Sequence, residues 1–352
     1  MITQRTETRT CAILAAGLCL TAQAQWCSTT DDLMRLPEGP APRTVGPQTV
    51  FVALLQYPDE GPSYTRDTVV SSVTTMCNFF HDYSYGVTSL TPTITQTFLM
   101  MPHVRDYYAH SYDHISRDAN QAALANGYGD ITTYNHIIYM FPYTRVFDGG
   151  WAGGGPQKIW LNNTADQWLM THEMGHNYGI WHAGRWLPCD LNNPIDPCGI
   201  VKGYGDCHDI MGLGRNALGD WNPYEKNLAG WIPPTQINHV TASGVYRIHR
   251  FDSPQAGAFT HLAITIQQPG TSKMYWLAYR YSPTDLRTGV YLVWDDPTYQ
   301  TRLIDYHSIT TSCNGDTTLP VGATLQDHNL SITPIGLGGT APNMWVDVRI
   351  TF

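Results

Sequence analysis

The chain has 352 residues, with 20 Lys and Arg against 29 Asp and Glu, for a formal net charge of −9. That length allows two domains. Only 14% of residues are charged and no basic patch with interleaved aromatics occurs, which excludes a nucleic-acid-binding class. The acidic balance also argues against docking to anionic membranes.

The N-terminus has the three parts of an export signal. Arg5 and Arg9 make a basic start, Cys11 to Thr21 an apolar core, and Ala22-Gln-Ala24 a small-x-small cleavage site. Residues 1–24 are therefore expected to be a signal peptide, and the rest to be secreted, extracellular or periplasmic. The apolar run is too short to span a bilayer, and no other segment is long and apolar enough, so stable membrane insertion is not expected. Cleavage leaves Cys27, Cys77, Cys189, Cys198, Cys207 and Cys313, an even number that suggests disulfides in an exported chain. Cys189, Cys198 and Cys207 lie close in sequence, and at least one bridge is expected there. No C-x-x-C occurs, so a second metal cluster has no support.

Residues 25–47 are rich in Pro and Gly and read as a leader or short pro-segment. Thr49-Val-Phe-Val-Ala-Leu-Leu55 predicts a buried strand. Helices are predicted over 65–83 and 108–127, the second amphipathic through Ile115, Ala119, Ala122 and Ala123. Asn135-His-Ile-Ile-Tyr-Met-Phe141 predicts another strand. A glycine-rich stretch, 149–155, precedes a short strand at Lys158-Ile-Trp-Leu161. Thr164-Ala-Asp-Gln167 fits a capping box with Thr164 as N-cap, so a helix should run from about 165 to 178. Past Pro233-Pro234, short alternating runs appear at Val245–Phe251, Leu262–Ile266, Tyr275–Tyr281, Val290–Trp294 and Trp345–Ile350. They predict an antiparallel β-sandwich over 236–352.

Residues 172–182 read His-Glu-Met-Gly-His-Asn-Tyr-Gly-Ile-Trp-His. His172 and His176, four apart on a helix, share one face and can bind one zinc ion. Gly179 can end the helix in a left-handed conformation and turn the chain so that His182 closes the ligand set. Glu173 projects beside the metal and can take a proton from water. Three protein ligands leave the fourth position open, as a hydrolytic site requires. The carboxylates of the Asp190–Asp196 loop could also take calcium, although an ordinary solvated loop is the simpler reading. The sequons at Asn162 and Asn329 matter only in a glycosylating host.

The eleven-residue pattern, with Tyr204-Gly-Asp-Cys-His-Asp-Ile-Met-Gly212 downstream, resembles the metzincin metallopeptidases. Within them the chain is most similar to the gametolysin-like family. That resemblance extends to Tyr83-Ser-Tyr-Gly86 and to Lys226-Asn-Leu-Ala-Gly-Trp231, and covers roughly 80 to 235. It implies an α+β fold: a metzincin-like catalytic domain over 48–235 in front of the sandwich. It implies zinc ligands His172, His176 and His182, Glu173 as general base, and Met211 in a methionine turn under the metal. It also implies that the strand at Gly153, Gly154 and Gly155 borders the cleft and pairs with substrate. The expected activity is hydrolysis of peptide bonds in extracellular or cell-wall proteins; the alternatives are a non-peptidase zinc hydrolase or a catalytically silent metzincin-like binding protein. Two departures stand out: there is no Pro-Arg-Cys-Gly switch segment, and Leu213 occupies the position two after Met211, where some metzincins carry a tyrosine.

Overall fold

The computed structural model describes residues 43–352, apart from 110, 146–151, 156, 215–218, 282–285, 287, 296–300 and 310–315. The expected signal segment lies outside the described residues, as do most of 25–47 and Cys27 and Cys313. The chain is a mixed α+β protein, with three sheets and four α-helices among the described residues.

The first half runs β1 (Gly46–Gln56), α1 (Arg66–Tyr83), β2 (Thr88–Ile94), β3 (Leu99–Met100), α2 (Tyr112–Ala125), β4 (His136–Phe141), β5 (Ala152–Gly155), β6 (Lys158–Asn162) and α3 (Gln167–Asn177). These strands form one sheet in the order β2-β1-β4-β6-β5, with β3 on the end of β1. All pairs are parallel except β5 on β6, and β5 ends the sheet. Helices cover both faces. Val50, Val52 and Leu54 of β1 pack in a core with Val69, Val73 and Met76 of α1 and Met170 and Met174 of α3. Phe51, Ala53 and Leu55 pack on the other face with Ile115, Ala119 and Ala123 of α2. A strand buried on both sides has no polar face, which is why 50–55 is an unbroken apolar run.

Helix α2 starts at Tyr112, not at 108. The Ser111 hydroxyl accepts from His114 N at 3.2 Å and fixes that start, while Arg105–Tyr108 forms a separate 3-10 turn.

The second half runs β7 (Gly184–Pro188), β8 (Gly199–Lys202), α4 (Pro223–Leu228), β9 (Ile237–His239), β10 (Gly244–His249), β11 (Ala263–Gln267), β12 (Met274–Ala278), β13 (Gly289–Asp295), β14 (Thr301–Leu303), β15 (Leu319–Pro320), β16 (Leu325–Asp327), β17 (Leu330–Gly338) and β18 (Trp345–Thr351). A four-stranded antiparallel sheet has the order β10-β18-β17-β16. An eight-stranded sheet has the order β8-β7-β14-β13-β12-β11-β9, with β15 on β13. The two share one core: Ile248, Val346 and Val348 from the first meet Ile264, Leu277 and Leu292 from the second. Strand β17 was hidden in the sequence by Pro334 and Gly336; its register shifts between those two residues, where a strand tolerates proline.

Candidate metal centre

The helix that carries the histidines is capped at both ends. Its N-cap is Asp166, not Thr164: the Asp166 carboxylate accepts from Trp168 N at 2.9 Å and Leu169 N at 3.1 Å. Thr164 serves one step earlier, its hydroxyl accepting from Asp166 N. Of two available oxygens, the charged one nearer the helix takes the N–H groups, and it also faces the positive end of the helix dipole. At the other end Tyr178 is the C-cap and Gly179 has φ +79°. Gly179 N donates to His176 O at 2.9 Å and Ile180 N to Gly175 O at 3.1 Å. This pair of bonds is a Schellman turn, which reverses the chain and brings His182 back over the helix.

His172, His176 and His182 converge, with one ligand atom of each lying within 4.8 Å of the others. The Nε2 atoms of His176 and His182 are 3.1 Å apart. His172 Nδ1 donates to the Ile210 carbonyl at 2.8 Å, and His176 Nδ1 to the Ile180 carbonyl at 2.9 Å. A carbonyl can only accept, so each Nδ1 holds the proton and each Nε2 presents a lone pair. This is the arrangement in which a metal-binding imidazole is fixed by its other nitrogen. Burial pushes the His172 pKa down to about 3 and that of His176 down to about 4; His182 is pushed down for the same reason. All three are therefore neutral near pH 7, as metal binding requires. The donor set fits a metal ion. Glu173, only 7% exposed, follows the first histidine on the same helix.

Met211 is fully buried beneath this helix. A Cβ added at Gly175 would overlap its sulfur and lie 3.3 Å from the Trp221 ring. The glycine before His176 is thus what lets the methionine approach. The turn around Met211 is built on Asp209, whose carboxylate accepts from Met211 N at 2.8 Å and Asn222 N at 2.6 Å. Burial raises the Asp209 pKa, and the buried guanidinium of Arg280 opposes that shift. Arg280, just past β12, donates to the backbone oxygens of His208 and Asp220, and Tyr291 of β13 donates to the Asp206 carboxylate. The eight-stranded sheet is therefore bonded to the turn under the histidines.

Residues 67–282 match the family described as Gametolysin peptidase M11. The chain belongs to the gametolysin peptidase M11 family. Membership supports metallopeptidase activity, and a peptidase acts on proteins or peptides. A search of curated proteins finds no match. Among solved structures the chain is similar to one titled "Structure of a chaperone-substrate complex", at 16% identity and a TM-score of 0.29, over 50% of this chain and 29% of that one. So slight a likeness carries no argument.

In this gametolysin-family chain the other resembling segments meet away from the histidines. Tyr85, at φ +62°, donates from its hydroxyl to Phe251 O at 2.7 Å and accepts from Lys226 Nζ at 3.0 Å. Lys226 also pairs with Asp220 at 2.5 Å, and Trp231 stacks on Trp221 at 4.2 Å. Both segments are struts of the core. His208 turns from the histidine cluster, its Nε2 lying 2.9 Å from the Thr317 hydroxyl. Gly153, Gly154 and Gly155 lie in β5, the end strand, which contacts α3.

Cys189 and Cys198 form a disulfide, Cys207 is also disulfide-bonded, and Cys77 is free. In the Asp190–Asp196 loop both carboxylates accept backbone N–H groups of the loop itself, from Asn192 to Asp190 and from Asp190 and Cys198 to Asp196. Asn162 is buried, with both amide atoms bonded to the Thr144 backbone, so this sequon offers no accessible side chain. No helix of the described residues is long and apolar enough to cross a membrane.

Sequence reasoning missed the Ile210 and Ile180 carbonyls, Asp209, and the packing role of Gly175. Two of these left a signal: Gly175 as a glycine inside a helix, and Asp209 as part of the segment that resembles the family.

Proposed function

We propose that the chain is an exported zinc endopeptidase with a metzincin-type catalytic domain, in which His172, His176 and His182 hold one ion. The convergence of three neutral imidazoles, two of them fixed through Nδ1, carries this reading. Zinc, when bound, supplies a Lewis acid that lowers the pKa of water to about 7 and polarises a carbonyl. Glu173 is the general base: its carboxylate takes the proton of the attacking water and returns it to the leaving amine. Met211 and Gly175 form the floor that keeps the helix in place under the ligands. The open edge of β5 receives an extended substrate by strand addition, with Gly153, Gly154 and Gly155 allowing close backbone approach.

The two C-terminal sheets, sharing one core, make the β-sandwich. Export rests on the three-part pattern at 1–24 and on the Cys189–Cys198 disulfide, a bond that persists in oxidising compartments. The substrates in this reading are extracellular or cell-wall proteins, as export and the resemblance of the motifs suggest.

The test is hydrolysis of casein and of a cell-wall protein, with and without a chelator, by wild type and Glu173→Gln. Wild type should be active and chelator-sensitive; the variant should keep one zinc per chain and lose turnover. Substantial hydrolysis by the variant, or wild-type activity indifferent to the chelator, overturns the assignment.

A further inference from the structure

His172 and His176 each have a backbone carbonyl at Nδ1, but among the described residues no carbonyl accepts from His182. An aromatic ring packs against its imidazole instead. The ring centroid of Tyr204 lies 3.7 Å from that of His182, with the planes 35° apart. The same ring is 6.0 Å from His172 at 24°.

The pairing of β7 with β8 explains how these rings meet. The strands are antiparallel, with Arg185 opposite Lys202 and Pro188 opposite Gly199. His182 lies just before β7 and Tyr204 just after β8, so the register sets them side by side. The far end of the hairpin is closed by the Cys189–Cys198 disulfide and by the bond from Cys189 N to Cys198 O at 2.8 Å. A one-residue slip would send every side chain of the hairpin to the other face and carry Tyr204 away.

The backbone at Tyr204 is left-handed, with φ +56°. A bulky side chain enters that region only where its surroundings hold it there, and such positions cluster at functional sites. The hold is visible at Gly205, whose N donates to Lys202 O at 3.1 Å. A Cβ at Gly205 would lie 2.7 Å from both Arg185 Cβ and Lys202 O, so the turn is packed tight against β7.

We infer that Tyr204 is a positioning residue: its ring face orients the imidazole of His182, the third ligand, in the role that carbonyls play for the other two. The inference rests on the proposed metal site and adds to it a residue outside the eleven-residue motif. Removing a group that orients a ligand typically weakens metal binding 10–100-fold.

Zinc affinity of the full chain, read by competition with a chromophoric chelator, tests this on wild type, Tyr204→Gly and Tyr204→Phe. The visible spectrum of the cobalt-substituted proteins is the second readout. Glycine accepts φ +56° without strain, so Tyr204→Gly should fold. It should bind zinc about 10-fold more weakly or worse and shift the cobalt bands, because one ligand is no longer held. Tyr204→Phe keeps the ring and should match wild type in both. A Tyr204→Gly chain with wild-type affinity and spectrum overturns the inference alone. Equal loss in Tyr204→Phe also overturns it, since the hydroxyl and not the ring face would then be responsible. A wild-type chain that binds no zinc overturns the proposed function as well.

Discussion

Replacing Gly212 by Ala tests whether the turn under the histidines is as tightly fitted as its contacts imply. Gly212 follows Met211, and a Cβ there would overlap the Asp206 carbonyl oxygen and lie 2.9 Å from that of Ala183. Both obstacles are backbone, so no rotamer change relieves them. Ordinary carbon contacts sit near 3.5–4.0 Å, so one strand of the turn must move by about 1 Å. Overpacking of this kind costs about 1–3 kcal/mol, and a backbone obstacle places this case near the upper end. For a chain of this size the loss corresponds to a Tm lower by roughly 4 °C.

The displacement should also reach the ligands. Ala183 N donates to Met211 O at 3.0 Å and Asp206 N to Ala183 O at 3.1 Å, so the turn is tied to the residue after His182. The carbonyl that fixes His172 belongs to Ile210, two residues before the substitution. Zinc affinity should therefore fall about 10-fold. The assay is thermal unfolding of the zinc-free chain, to isolate the packing cost, followed by zinc titration at fixed temperature. A Gly212→Ala chain with wild-type Tm and wild-type zinc affinity would refute the argument that this turn positions the site.

Two further predictions concern the frame of the site. His136 is buried, its Nε2 lying 2.7 Å from Gln48 Oε1 and its Nδ1 3.2 Å from Asn177 Nδ2, and burial lowers its pKa from 6.5 to about 4. The folded state thus binds the proton less readily than the unfolded state; this contribution to stability is complete above pH 6.5 and is lost as pH falls toward 4. At pH 5 the loss is about 2 kcal/mol, and urea unfolding of zinc-free His136→Asn should show that much less decline between pH 7 and pH 5 than wild type; an identical decline contradicts the assignment. The Cys189–Cys198 bond closes a loop with a sequence separation of 9, so the double Ser variant should lose about 2–3 kcal/mol in denaturant unfolding, and no loss would mean that the hairpin holds its register without the bond.

The parts of the site that were legible in the sequence are those set by local geometry. His172, Glu173 and His176 sit on one helix because the spacing of four matches its turn, and Gly179 ends that helix because only glycine enters φ +79° freely. Even there the cap was misassigned, because Thr164 and Asp166 both offer an oxygen and only the folded chain shows which reaches Trp168 and Leu169. Periodicity marked the individual strands and helices, since the two bury different repeats, and the resemblance implied the α+β class they make. The supporting groups left no such trace. Every residue has a carbonyl, so nothing in the sequence marks Ile210, 38 positions from His172, as its partner.

Strands β7 and β8 were missed for a related reason: with Pro188, Cys189, Asp190 and Pro194 between and around them, 184–202 reads as loop. Their pairing supplies what their composition lacks, because β7 adds to β14 and so joins a sheet whose remaining strands lie past residue 236. The third histidine thus hangs from a hairpin anchored to the C-terminal half, while the first two ride on a helix packed against the N-terminal sheet. Arg280 and Tyr291 brace the Met211 turn from that same C-terminal sheet. Both halves of the chain must therefore be folded before three imidazoles can meet, and the eleven-residue motif is a local pattern whose geometry is completed by residues far from it.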